Sequence, residues 1–96
     1  MMKTLREVHP SSQFRKDLRK ARKQGKDMAL LDEIIVKLAN DIPLPPKHRD
    51  HALQGNWAGH RECHLTPDWL LVYRKTDNAG LLLLLVRADS HSNLDF

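Results

Sequence analysis

Residues 81–86 are six consecutive apolar residues, Leu81 to Leu85 followed by Val86, in a chain of 96. That run is far below the roughly 20 residues a membrane span needs. An uninterrupted apolar strand must be covered on both faces, so it predicts an interior strand of a sheet. Two more strand candidates lead into it: residues 60–65 alternate in polarity, and residues 69–75 are rich in β-formers. Thr66-Pro67-Asp68 and the stretch from Thr76 to Gly80 carry the Pro, Asp, Asn and Gly of tight turns. Strands joined by turns that short run antiparallel.

The N-terminal half has a different period. Residues 4–9 alternate weakly around Leu5 and Val8 and predict a first strand. Pro10 ends it, and Ser11 or Ser12 can cap a helix by accepting a backbone N–H. Phe14, Leu18 and Ala21 then fall at helical spacing, and Gly25 suits the left-handed residue that closes a helix. Asp27 can cap a second helix whose apolar stripe is Met28, Leu31, Ile35 and Leu38, widened by Leu30 and Ile34. Asn40 and Pro43 stop it. The expected fold is one α+β domain over residues 1–96, in the order β-α-α-β-β-β, with two N-terminal helices packed on a small antiparallel sheet.

Charge narrows the partners. The chain has 16 basic and 12 acidic residues, a net +4. The excess is concentrated in residues 14–26, where Arg15, Lys16, Arg19, Lys20, Arg22, Lys23 and Lys26 face only Asp17. Such a run either is a solvated helix face or attracts a polyanion. Cys63 is the only cysteine, which excludes an internal disulfide and fits a reducing compartment. No apolar leader follows Met1-Met2-Lys3. These features predict a cytoplasmic protein that does not enter a membrane.

Most of the titratable side chains that suggest chemistry lie between residues 50 and 91. Histidine exchanges protons near neutral pH. On a strand, His60 and His64 would be about 13 Å apart, too far to share one ion, and no Cys-x-x-Cys or His-Glu-x-x-His spacing is present. A site assembled across the fold from His51, His64, Asp68 and His91 stays open. Cys63 beside His64 has the residue types of a nucleophile–base pair without the geometry, and reads as core.

Metal-free phosphodiester cleavage suits these residue types better. It needs a base for the ribose 2′-hydroxyl, an acid for the departing 5′-oxygen, and a cation for the phosphorane-like charge. His51, His64, Asp68 and His91 can move protons. Arg61 and Arg87 can fork onto phosphate, and Trp69 or Phe96 can stack an unpaired base. Each also has an ordinary structural explanation: a solvated His, an Asp in a turn, a Trp in the core, an Arg on an edge strand. Only convergence in the fold separates the two.

The segment Asp50-His51-Ala52-Leu53-Gln54-Gly55, followed by Gly59-His60-Arg61-Glu62-Cys63-His64 and Asp68-Trp69, resembles the YafQ branch of the RelE/ParE toxin superfamily. The pattern there runs D-H-x-L-x-G-x-W-x-G-x-R-x-x-H-x-x-x-D-W-x-L-x-Y, and it extends here to Tyr73. The likeness covers essentially the whole chain, the Lys26-Asp27-Met28 start of the second helix included. It implies a RelE-like microbial RNase fold and a ribosome-dependent mRNA endonuclease of a bacterial type II toxin–antitoxin module. Such an enzyme needs no cofactor or metal and leaves a 2′,3′-cyclic phosphate and a 5′-hydroxyl.

Carried over by position, His51, His64, Asp68 and His91 are the proton-transfer set. Arg61 and Arg87 hold phosphate, Trp69 and Phe96 contact mRNA, and the basic helix faces 16S ribosomal RNA. The implied partners are the ribosome and a cognate antitoxin in a toxin2–antitoxin2 heterotetramer, with operator DNA reached only through the antitoxin. Two positions depart from the pattern. Phe96 lies five residues after His91, one more than is usual, and His60 stands where an aromatic residue is common. A ParE-like gyrase inhibitor would share the fold without needing the histidines, and a non-catalytic toxin-fold interaction module is the third reading.

Overall fold

A computed structural model describes residues 4–94. The sheet has five strands: β1 (Glu7–Pro10), β2 (His51–Ala52), β3 (Arg61–Thr66), β4 (Trp69–Thr76) and β5 (Leu82–Asp89). Their order is β1-β5-β4-β3-β2. Helices α1 (Ser12–Lys23) and α2 (Met28–Ala39) cover one face, and the single-turn α3 (His91–Leu94) follows β5. Two 3-10 turns, Pro46–His48 and Gly55–Trp57, flank β2. No described helix is long and apolar enough to cross a membrane.

The α+β class agrees with the sequence reading, as does the order β-α-α-β-β-β once the unexpected two-residue β2 and the single-turn α3 are set aside, but the sheet is mixed rather than antiparallel. β1 runs parallel to β5, with Glu7 opposite Leu82 and Pro10 opposite Leu85, while the other pairs are antiparallel. Short turns dictate direction only for the strands they join, which are β3, β4 and β5. The two helices intervene before β1 finds its partner, so no local signal sets its direction. All of the run 81–86 but the exposed Leu81 lies in β5, an interior strand, while the middle place belongs to β4.

Helix boundaries follow the caps. The Ser11 hydroxyl accepts from Phe14 N at 3.0 Å and donates to Val86 O at 2.8 Å, so one side chain starts α1 and ties it to β5. The Asp27 carboxylate accepts from Leu30 N at 3.1 Å. Gly25 holds φ +74° just past α1, where the helix needs a left-handed residue. Phe14 and Ala21 from α1, Leu31, Ile34 and Leu38 from α2, and alternate residues of the strands form the main core. A smaller cluster on the other face joins Leu70, Val72 and Leu94.

The end of the sheet where β1 begins is clasped by Arg6, which is 8% exposed. Its Nε donates to Asp41 Oδ1 at 2.7 Å and its Nη1 to Asp77 Oδ1 at 2.9 Å. Lys75 Nζ reaches the same Asp41 oxygen at 2.7 Å. These hydrogen bonds, that from Arg6 first and that from Lys75 next, hold the Asp41 carboxyl down to about 2. Depression means the stabilisation is in place above the ordinary aspartate value near 3.9 and is lost as pH falls through about 2. Asp41→Asn is therefore expected to lower the urea midpoint at pH 7 and to converge with the parent chain near pH 2. A constant difference across that range would contradict this assignment.

Candidate active site

β2 pairs with β3 for only two residues, His51 opposite Glu62 and Ala52 opposite Arg61. Side chains alternate along a strand, so His51, Glu62 and His64 share the face away from the main core. There the Glu62 Oε1 lies 3.8 Å from His51 Nε2 and 3.4 Å from His64 Nε2. Glu62 is 3% exposed, while the side chains of His64 and His51 are 12% and 50% exposed. His91, at the start of α3, closes the group: its ring centroid is 5.4 Å from that of His64, edge to face at 66°. One buried carboxylate thus stands between two imidazoles, and a third imidazole lies against the second.

Backbone carbonyls fix how some of these rings work. A carbonyl oxygen only accepts, so the 2.6 Å contact between His51 Nδ1 and Arg49 O makes Nδ1 the donor. Proton exchange at His51 then runs through Nε2, the nitrogen facing Glu62. His48, 5% exposed, donates in the same way from Nδ1 to His64 O at 2.6 Å.

On the opposite side, Asp50 Oδ1 accepts from the Tyr73 hydroxyl and, at 3.2 Å, from Arg61 Nε. Burial first, and the Asp50 carboxylate second, push the Tyr73 hydroxyl well above the usual phenol range, so it acts as a donor. With Asp50 held on one face, His51 is directed to the other.

The structure brings together His51, His64 and His91 from the expected proton-transfer set, with Glu62 as an unanticipated fourth member. Asp68 is elsewhere. It lines a smaller cavity of about 250 Å³ together with Lys20 and Lys26, and shares no described lining residue with the cavity beside His64 and His91.

The expected stacking surface at Trp69 is corrected. Its side chain is 2% exposed and belongs to the core, because β4 runs through the middle of the sheet. Phe96 lies outside the described residues. The two arginines expected to hold phosphate already have carboxylate partners. Arg61 reaches Asp50 on the face away from the histidines. Arg87 donates from Nε to Asp17 at 2.9 Å and lies 3.5 Å from Asp89. On α1, Arg15, Lys16, Arg19, Arg22 and Lys23 are exposed, whereas Lys20 pairs with Asp89 at 3.3 Å. Lys26 is half-buried.

Sequence reasoning missed Glu62, His48, Arg49 and Asp50. The signal for Glu62 was available: it is two residues from His64 on a strand, hence on the same face. Among the described residues, His60 joins no other histidine. It packs edge-on against Trp57, centroids 5.4 Å apart.

One ligand atom each of Glu62, His64 and His91 lies within 4.8 Å of the others, a spacing that could also hold a cation. Burial pushes the Cys63 thiol up to about 12, so it is no nucleophile at neutral pH.

The fold matches that of known toxins. A family model described as the bacterial toxin of type II toxin–antitoxin system, YafQ, matches residues 6–95. The chain is 41% identical over 90 residues to the mRNA interferase toxin YafQ of Escherichia coli, covering 93% of this chain and 95% of that one. It is also similar to the toxin in the crystal structure of the Escherichia coli DinJ–YafQ toxin–antitoxin complex. The TM-score there is 0.85 and the identity 40%, over 96% of this chain and 99% of that chain. A metal-bound toxin from Helicobacter pylori has a TM-score of 0.85 and 45% identity, over 91% and 96% of the two chains. The chain belongs to the YafQ family of bacterial toxins of type II toxin–antitoxin systems.

Proposed function

We propose that this chain is a ribosome-dependent mRNA endonuclease that arrests translation by cutting message in the ribosomal A site. The observation that carries it is the grouping of His51, His64 and His91 around the buried Glu62 carboxylate. Its relatives named mRNA interferases support the same reading. In the reaction, one imidazole takes the proton of the ribose 2′-hydroxyl as O2′ attacks phosphorus. The P–O5′ bond breaks, and a second imidazole returns a proton to O5′. The products are a 2′,3′-cyclic phosphate and a 5′-hydroxyl. Glu62 orients the rings and accepts an N–H from whichever is protonated. Phosphate charge is met by cations at the edge of the cavity beside His64 and His91, with Arg61 and Arg87 contributing only where they exchange their carboxylate partners for phosphate.

Exposed basic residues of α1 dock on 16S ribosomal RNA. The restraining partner is a cognate antitoxin, as in the solved DinJ–YafQ complexes. An acidic antitoxin segment would wrap the toxin, two copies of each would form a heterotetramer, and operator DNA would be reached through the antitoxin. The setting is the cytoplasm.

Two imidazoles in opposite protonation states give a bell-shaped rate across roughly pH 5 to 8. Single-turnover cleavage of message on programmed ribosomes is expected to show that profile, and to be unchanged when the toxin has been stripped with EDTA and freed of chelator before it meets the Mg²⁺-containing ribosomes. Added Zn²⁺ or Cu²⁺ should inhibit, because the Glu62–His64–His91 group would bind it and lose the lone pairs that move protons. Loss of activity in the stripped toxin, restored by one equivalent of a transition-metal ion at constant Mg²⁺, would replace the acid–base mechanism with a metal-assisted one.

A further inference from the structure

Beyond Glu62, β3 has no strand partner on its outer edge among the described residues, because β2 pairs only with Arg61 and Glu62. The turn Pro46–His48 takes that place, with His48 bonded to the His64 carbonyl. Beside this contact lies a cavity of about 570 Å³ on which both His64 and His91 open. That volume is within the range of small-ligand sites. Its lining divides by chemistry. Leu30, half-buried, and Leu65, 3% exposed, give an apolar wall. Lys47 and Arg49 are exposed, and neither forms an ion pair among the described residues. No described lining residue is acidic.

Arg49 also holds φ +46° and ψ +44°, a left-handed conformation that residues other than Gly, Asn and Asp rarely adopt. The main-chain work at this position, a carbonyl accepting from His51 Nδ1, would be done as well by glycine. The fold therefore gives no reason for an arginine here, and strained non-glycine residues cluster at functional sites.

We propose that this cavity is the subsite for the message nucleotide next to the scissile phosphate. Lys47 and Arg49 each contact a backbone phosphate, and the Leu30–Leu65 wall takes the face of the ribose or base. The occupant must be anionic and partly apolar, and it must reach His64 and His91. RNA meets all three conditions and rests on the endonuclease reading. Arg49 then supplies phosphate binding that Arg61 and Arg87, held by Asp50 and Asp17, supply less readily.

The test compares Lys47→Ala, Arg49→Gly and the double variant with the parent chain, by single-turnover cleavage of message on programmed ribosomes over a range of toxin and salt concentrations. Arg49→Gly relieves the backbone and keeps the carbonyl that holds His51, so thermal melting should be unchanged or raised. The double variant should need at least tenfold more toxin for half-maximal cleavage, with the saturating rate little changed. The slope of log affinity against log salt should flatten by about 0.7 for each phosphate that is no longer neutralised, and antitoxin binding should persist. Parental half-maximal concentration and salt slope in the double variant would overturn the subsite. So would loss of antitoxin binding with cleavage intact, which would give the cavity to the antitoxin. A parent chain that leaves the message whole removes the endonuclease reading itself, and the subsite with it.

Discussion

His91→Ala is expected to slow mRNA cleavage by about two to four orders of magnitude, the usual contribution of a positioned general acid or base, with little loss of stability. His91 is exposed at the start of a single-turn helix, so truncating it opens no cavity. His64→Ala should cost cleavage as much. Because His64 is only 12% exposed and lies 3.4 Å from the Glu62 carboxylate, it should also lower the melting temperature. Glu62→Gln keeps the shape and removes the charge between His51 and His64. It is expected to distort the pH profile as well as reduce the rate, an effect that a merely structural glutamate would not produce. Single-turnover rates across pH, with melting curves for each variant, separate these outcomes. A His91→Ala protein that cleaves at the parental rate would remove His91 from the chemistry.

Asp17→Ala should be the most damaging single substitution for the fold. Asp17 is 4% exposed and sits on α1 facing β5. Its carboxylate accepts from Arg87 Nε at 2.9 Å, from Arg87 Nη2 at 3.3 Å and from the Ala88 backbone N–H at 2.9 Å. β1 ends at Pro10, opposite Leu85, so this carboxylate does at Ala88 what a neighbouring strand would otherwise do. Alanine would leave a buried N–H unpaired and the partly buried guanidinium with Asp89 alone, 3.5 Å away, at a cost of about 3 kcal/mol. That is a large share of the 5–15 kcal/mol typical of a whole domain. Asn keeps an acceptor for Ala88 and should lose less. Urea denaturation of the two variants tests the order, and a change below about 1 kcal/mol for Asp17→Ala would contradict it. Because Arg87 is bound to Asp17, its substitution alters stability, so lower cleavage by Arg87→Ala says nothing of phosphate unless folding is measured alongside.

How legible each feature was in the sequence depends on whether its cause is local. Ser11 and Asp27 cap the helices they precede, and Gly25 takes the positive φ expected of it, because capping involves residues only three or four apart. The strands around Thr66-Pro67-Asp68 and Thr76 to Gly80 were legible for the same reason. The parallel pairing of β1 with β5 was not, since it joins residues separated by 75 positions, such as Glu7 and Leu82.

The site divides in the same way. His51, His64 and His91 were nameable as a set through their resemblance to a known pattern. What surrounds them was set by register: Glu62 falls opposite His51, Asp50 reaches Tyr73, and Asp17 captures Arg87. Trp69 shows the opposite error. An aromatic residue beside a catalytic motif reads as a stacking platform, yet at the start of the middle strand the same side chain is buried in the core.

The central claim is that the imidazoles around Glu62 cut message on the ribosome. Primer extension on a defined mRNA, with purified ribosomes present or omitted, tests it most directly. The protein should produce discrete in-frame cuts that require ribosomes, that carry 5′-hydroxyl ends, and that vanish with His91→Ala. An intact message beside arrested growth would contradict the account and turn attention to a gyrase-directed toxin on the same fold.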